Sequence, residues 1–159
     1  QTAIDELASQ TVNLLNSQKP ENQLFPLQLA FNMQPVATEA GNEQQLSSLL
    51  GGAVNCSIQN VLVPAFHGLI SSVTLTSESS IDRGEIESQI NNIKGVRVTQ
   101  KPVSPMSHCQ QDDTLYVYAI QQLKQDKNRI QFMLIGDSIK NGLLQNYMGI
   151  IQWLNQKTH

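Results

Sequence analysis

The sequence predicts an α+β fold: a mixed, mostly antiparallel sheet with helices packed on one face. Three observations lead there. Apolar residues recur at helical spacing near both ends of the chain. Val73 and Leu75 alternate with Thr74 and Thr76 at period two. Helical and strand segments interleave in the order helix, helix, two strands, helix, strand, two strands, helix, without an internal repeat.

The first helix carries Ile4, Leu7, Leu14 and Leu15 on one face, with Asp5 and Glu6 at its positive end. Lys19-Pro20 is its expected stop, because the residue before proline avoids the helical region. Residues 23–36, broken by Pro26 and Pro35, read as irregular. Residues 42–50 form a short helix that Gly51-Gly52 closes. Residues 61–66 and 69–76 read as strands. Residues 79–93 form a helix with Ile86, Ile90 and Ile93 inward, opened by a Ser79/Asp82 pair and stopped at Lys94-Gly95. Residues 96–99 are a strand, and 101–113 a loop punctuated by Pro102 and Pro105. Two more strands, 115–122 and 130–136, join through Asp126-Lys127-Asn128. The last helix, 141–156, bears the stripe Leu143, Leu144, Tyr147, Met148, Ile151 and Leu154.

The 159 residues suit one domain, 40% hydrophobic and 14% charged, with a net charge of -3. That balance excludes a disordered chain. With no Lys/Arg face to track phosphates, nucleic-acid binding is not expected. No apolar run reaches membrane-spanning length, so no membrane partner is expected. Cys56 and Cys109 are too few for a disulfide framework and lack metal-ligand spacing, which points to the cytoplasm and to no metal. The start at Gln1-Thr2-Ala3 suggests a piece of a longer protein.

Four stretches together resemble the aspartate-semialdehyde dehydrogenases. Residues 29–35, Leu-Ala-Phe-Asn-Met-Gln-Pro, are similar to the family's Ala-Phe-Asn-x-x-Pro. Residues 61–73, Val-Leu-Val-Pro-Ala-Phe-His-Gly-Leu-Ile-Ser-Ser-Val, resemble Arg-Val-Pro-Val-x-x-Gly-His-Ser-x-x-Val. Residues 113–120 resemble the acidic-x-x-Val-x-Arg-Ile strand, and residues 136–146 resemble Asp-Asn-x-x-Lys-Gly-Ala-Ala-x-Asn. Their order along nearly the whole chain is what makes the set specific.

The resemblance implies that residues 1–159 are the dimerisation domain, with the mixed sheet of the glyceraldehyde-3-phosphate dehydrogenase-like C-terminal domain. In the family an upstream domain holds NADP and leads into the nucleophilic Cys. No Gly-x-Gly-x-x-Gly follows a strand here, so no cofactor is expected in this chain. The expected partners are a second copy, in a homodimer through the face of the sheet, and the missing N-terminal dinucleotide-binding domain.

The resemblance also implies a substrate Arg and a general-base His. Leu62 and Leu69 stand at those positions. Leucine takes no proton and offers no fork of donors to a carboxylate, so no catalytic residue is expected. His67 precedes Leu69 by two residues; on an extended strand it would be displaced roughly 6–7 Å, beyond the reach of a base placed for that reaction. No Lys or Arg occurs from Pro20 through Asp82. Glu39 and Glu43 would repel an acyl phosphate and read as solvated surface. Cys56 sits outside the context of the family's nucleophile, Cys109 beside His108 reads as loop, and Ser71 and Ser72 carry no sign of nucleophilic chemistry.

The leading expectation is therefore a dimerising domain without activity, resembling catalytically degenerate Usg-type proteins. The alternative is the second domain of an active NADP-dependent semialdehyde dehydrogenase whose cofactor site and Cys lie upstream. A third is a binding module in which Leu62 and Leu69 line an apolar pocket. In any of them the stripe of the last helix needs cover, from the first helix through Leu7, Leu14 and Leu15 or from a neighbouring chain.

Overall fold

The computed structural model describes residues 2–37, 39, 41–109, 113–123, 125–137, 139–141 and 147–148. The chain divides into two compact units, Gln1–Phe66 and His67–His159.

In the first unit, α1 (Ala3–Leu15) opens on a capping box: the Asp5 N–H donates to the Thr2 hydroxyl, and the Thr2 N–H donates back to the Asp5 carboxylate. The helix ends at Leu15, ahead of the expected Lys19-Pro20 stop. Ser17 takes φ 57°, and Gln18 N–H and Ser17 N–H turn back onto the Asn13 and Leu14 carbonyls. This is the 6→1 and 5→2 pairing of a left-handed helix end, here on a serine rather than a glycine. Leu7 is buried and Leu14 half-buried, while Leu15 is 72% exposed and lies off the packed face.

The residues that complete that face are polar. Glu6 and Gln10 are both buried, one turn apart. The Glu6 carboxylate accepts the consecutive N–H groups of Gln23, Leu24 and Phe25, plus the Gln10 amide. The Gln10 carbonyl oxygen accepts from Leu29 and Ala30 N–H at 2.8 and 3.1 Å. Two side chains of α1 thus serve as partners for a loop that makes few backbone hydrogen bonds of its own. The loop returns Phe25, Leu29 and Ala30 to Leu7, with Leu14 and Leu62, to form a small core.

Within the span read as irregular lies β1 (Gln34–Val36), paired antiparallel with β2 (Asn60–Leu62). The strand expected to run to Phe66 stops at Leu62. Pro64 centres a three-residue turn in which the Ala65 N–H meets the Val63 carbonyl. Between the strands, α2 (Asn42–Leu49) is closed as predicted, with Gly51 and Gly52 at φ 88° and 77°. No residue of α2 is buried.

The second unit is a four-stranded sheet in the order β3-β6-β5-β4, where β3 is Leu69–Thr76, β4 Val96–Thr99, β5 Leu115–Leu123 and β6 Asp126–Gly136. Only the β4–β5 pair is parallel. The mostly antiparallel α+β architecture is as expected. The residues expected to connect the last two strands, Asp126–Asn128, are strand instead, with Asp126 paired to Leu123.

The helix α3 (Arg83–Asn91) covers one face of this sheet. Ile86 and Ile90 pack with Ile81 on Val117, Ile120, Ile130 and Phe132, joined by Val73, Val96, Val98 and Leu134. The helix starts four residues later than expected, because Asp82 itself is the cap, its carboxylate accepting the Glu85 N–H at 3.1 Å. The residues before it run beside β6, with Ser77 and Ile81 N–H donating to the Asn128 and Lys127 carbonyls. Ile93 lies past the helix and is exposed.

A bulge shapes β5. Tyr118 opposes Met133 and Gln121 opposes Gln131, so Ala119 and Ile120 share the place opposite Phe132, and Ala119 takes φ 56°. The extra residue keeps Val117 and Ile120 on the same, helix-covered face, which strict alternation forbids. On the other face, the loop expected at 101–113 contains a π-helical turn, Pro105–Cys109. It places Cys109, fully buried, against Tyr116 and Ile135.

Of the expected last helix, residues 142–146 and 149–156 lie outside the described residues, and with them Leu143, Leu144, Ile151 and Leu154. Tyr147 and Met148 are helical and exposed.

Candidate functional site

The residues singled out in the sequence fall in both units. Leu62 ends β2, half-buried against the Leu7–Leu29–Ala30 core. The side chain standing where the resemblance implies a substrate Arg is thus used for packing. Leu69 opens β3 opposite Gly136 and is 47% exposed.

His67 is exposed and outside any strand. The extended run assumed for it is broken at Gly68, whose φ is 108°. Only glycine fits there for a second reason: a Cβ would lie 2.1 Å from the Cβ of Pro105. The backbone at the head of β3 is therefore seated on the π-helical turn.

His67 stands within electrostatic range of Asp137, just beyond the end of β6. Asp137 is held below the usual carboxylate range, first by the Lys140 N–H, then by the Ile139 N–H and the charges of Lys140 and His67, against the opposing effect of burial. Its Oδ1 accepts those two N–H groups at 3.0 and 2.8 Å. Asn141 completes the knot: its Oδ1 accepts the Asp137 N–H at 2.7 Å, and its Nδ2 donates to the Asp113 carbonyl at 2.7 Å. Lys140 Nζ lies 3.8 Å from Asp113 Oδ1. The acidic residues of the third and fourth resembling stretches thus meet at one end of the sheet. The knot fastens the strand ends, and two backbone N–H groups engage Oδ1 of Asp137.

The π-helical turn brings Ser107 Oγ within 2.7 Å of His108 Nδ1. The same nitrogen also accepts the Ser104 N–H at 3.2 Å, so its lone pair is engaged in holding the turn. The imidazole stands edge-on to Tyr116, with centroids 5.9 Å apart. Cys109, read as loop in the sequence, is instead a core residue.

Cys56 is half-buried, its thiol 3.8 Å from the Val54 carbonyl. Glu39 is exposed. Glu43 does more than face solvent: its carboxylate accepts the Ile58 N–H at 2.8 Å, tying α2 to the chain entering β2. Ser71 faces the helix-covered side and Ser72 the open side of the sheet, as their partners Leu134 and Met133 show. Among the described residues no three His, Cys, Asp or Glu side chains gather as metal ligands, and no helix is long and apolar enough to cross a membrane. The adjacent Gly51 and Gly52 close α2, whereas the glycines of a dinucleotide fingerprint lie between a strand and the helix they open.

Sequence reading missed Glu6, Gln10 and Gln34, all buried. The available signal was position: Glu6 and Gln10 lie one turn apart beside Leu7, on the packed stripe of α1.

Comparison with known proteins gives a consistent picture. The family described as semialdehyde dehydrogenase, dimerisation domain, matches residues 1–140. An aspartate-semialdehyde dehydrogenase of Rickettsia bellii is 25% identical over 95% of this chain and 49% of its own length. A USG-1 protein homolog of Pseudomonas aeruginosa is 26% identical over 90% of this chain and 46% of its own. The chain spans about half the length of these curated relatives. Among solved structures, a probable aspartate-semialdehyde dehydrogenase from Pseudomonas aeruginosa superposes with a TM-score of 0.86 at 24% identity, covering 98% of this chain and 51% of that one. Aspartate semialdehyde dehydrogenase II of Vibrio cholerae, complexed with ASA, gives 0.83 at 22% identity, covering 96% and 49%.

Proposed function

Because the chain belongs to the semialdehyde dehydrogenase dimerisation-domain family, we propose that it is the dimer-forming half of an aspartate-semialdehyde dehydrogenase-like protein that has lost the catalytic residues this half would supply. The observation that carries the reading is Leu62. An Arg that clamps a substrate carboxylate must present its donors to a cleft. Leu62 packs on Leu7, Leu29 and Ala30 instead. Leu69, at the position of the general base, has no proton to exchange. His67 does not replace it, because Gly68 turns the chain between them.

On this reading the chain's own work is assembly: it folds, pairs with a second copy through its sheet and carries whatever domain it is joined to. On this reading NADP would belong to an upstream domain. Cys56 and Cys109 are thiols rather than a disulfide, which agrees with a reducing, cytoplasmic setting.

A second reading has an observation of its own. The Rickettsia bellii relative is named for the dehydrogenase activity, and half its length has no counterpart here. The chain would then be the second domain of an active NADP-dependent enzyme, with nucleophile and cofactor site upstream. One assay separates the two. The protein in its natural length is given aspartate semialdehyde, phosphate and NADP, and NADPH is followed by absorbance. The degenerate reading expects no rate above the enzyme-free background; phosphate-dependent turnover overturns it.

A further inference from the structure

Asn141 stands in the fourth resembling stretch at the place of the pattern's Lys, and Gly142 follows it, the one Asn-Gly step in the sequence. Both ends of its carboxamide are in use. Oδ1 accepts the Asp137 N–H and Nδ2 donates to the Asp113 carbonyl, each at 2.7 Å. Its backbone N–H adds a bond to the Asp137 carbonyl at 2.9 Å. The side chain is half-buried and seated on Gly136, where a Cβ would lie 2.7 Å from Oδ1. One side chain therefore ties the turn after β6 to the chain entering β5. Its two side-chain partners are backbone groups of fixed polarity, an N–H and a carbonyl. The carboxamide has one orientation between them, and a carboxylate, which only accepts, cannot take its place.

We infer that Asn141 is a deamidation site held shut by this knot, and that its conversion unfastens the two strand ends irreversibly. The reaction needs only the chain and water. The Gly142 nitrogen attacks Asn141 Cγ and forms the N–Cγ bond of a cyclic imide. The Cγ–Nδ2 bond breaks, and Nδ2 leaves as ammonia with the proton given up by the Gly142 nitrogen. Water then opens the imide, its hydroxyl joining either carbonyl carbon and its proton the nitrogen, to leave aspartate or isoaspartate. Glycine favours the closure because no Cβ crowds the attacking nitrogen.

The knot opposes the first step. To close the ring the carboxamide must swing onto its own backbone and leave both partners, and half-buried hydrogen-bonding groups are costly to strand. Conversion therefore follows how often the knot opens. The product does not re-form it. A carboxylate oxygen then faces the Asp113 carbonyl where a donor stood, and isoaspartate also adds a methylene to the main chain.

The test incubates the full chain at neutral pH, native and in urea. The peptide spanning residues 141–142 is followed by mass spectrometry for the gain that replaces an amide with an acid. The native chain is expected to convert slower than the denatured chain by roughly tenfold or more. Asp137→Ala takes the acceptor from the Ile139 and Lys140 N–H groups and is expected to raise the native rate toward the denatured one. Native and denatured rates that are equal, or a native rate that is the faster, overturn protection by the knot. Asn141→Asp reproduces one product, and its thermal midpoint is expected below that of wild type. A midpoint equal to wild type overturns the unfastening. The wild-type rates keep the proposal readable if Asn141→Asp folds poorly.

Discussion

Single residues show where sequence patterns speak and where they are silent. Gly51 and Gly52 were legible as a helix stop because glycine enters the left-handed region without strain. Glu6 was not legible, since pattern reading assigns a glutamate near a helix start to water and to the dipole. The structure gives it three consecutive backbone N–H groups of a loop more than fifteen residues away. Burial is the largest single influence on its carboxyl and acts to raise its pKa, yet those N–H groups and the Gln10 amide together hold it below the ordinary glutamate range. The folded value lies below the unfolded one, so the stabilisation is present above the unfolded value and is lost as pH falls through the folded value. Denaturant titrations between pH 7 and pH 2 are therefore expected to show Glu6→Gln less stable than wild type at neutral pH, the gap closing in the acid range below the ordinary glutamate value. A gap independent of pH would show that the charge on Glu6 does not matter. Leu62 and Leu69 were both read from the sequence as lost chemistry, but their surroundings set them apart. Leu62→Arg forces a guanidinium against an apolar core and is expected to cost about 2 kcal/mol. Leu69→His, at a site 47% exposed, is expected to change stability by less than about 0.5 kcal/mol. Equal costs in chemical denaturation would remove the distinction.

At the scale of elements, the parts with strong local codes were the legible ones. The strands 69–76 and 96–99 have the bounds expected of them, because β-branched alternation meets a sheet that is half covered. Boundaries failed where a cap or a turn competed with periodicity. Asp82 took the cap that Ser79 was expected to supply, and Pro64 cut β2 short. No periodicity betrays the π-helical turn or the Ala119 bulge, since each exists to resolve packing between segments distant in sequence. The end of α1 is open to test. Ser17 pays left-handed strain at an exposed position to complete a helix end that glycine normally completes. Ser17→Gly is expected to stabilise the chain by about 0.5–1 kcal/mol, the strain relieved less the added freedom of the unfolded glycine. A thermal midpoint that stays put or falls would mean that the serine hydroxyl contributes something the backbone does not show.

On the scale of the whole chain, the resemblance carried what composition could not. Nothing in 40% hydrophobic residues or a net charge of -3 selects a dimerisation domain. The four motif stretches did, because each marks a backbone fixture: the loop returned to α1, the Gly68 seat on Pro105, β5, and the Asp137 knot. Large apolar side chains stand in solvent in the single chain, including Phe31 and Met33 at 67% and Leu49 at 84%. Where such side chains are covered by a second copy, stability depends on association. If the native form is a dimer, unfolding releases two chains, and the midpoint must rise with protein concentration. A tenfold increase adds about 1.4 kcal/mol per dimer. Set against an unfolding entropy of about 2.1 cal/mol/K per residue over two chains, that shifts the midpoint by about 2 °C. Scanning calorimetry over a hundredfold range of concentration is therefore expected to move the midpoint upward by about 4 °C in wild type. A concentration-independent wild-type midpoint would mean that assembly contributes nothing to the stability of the fold.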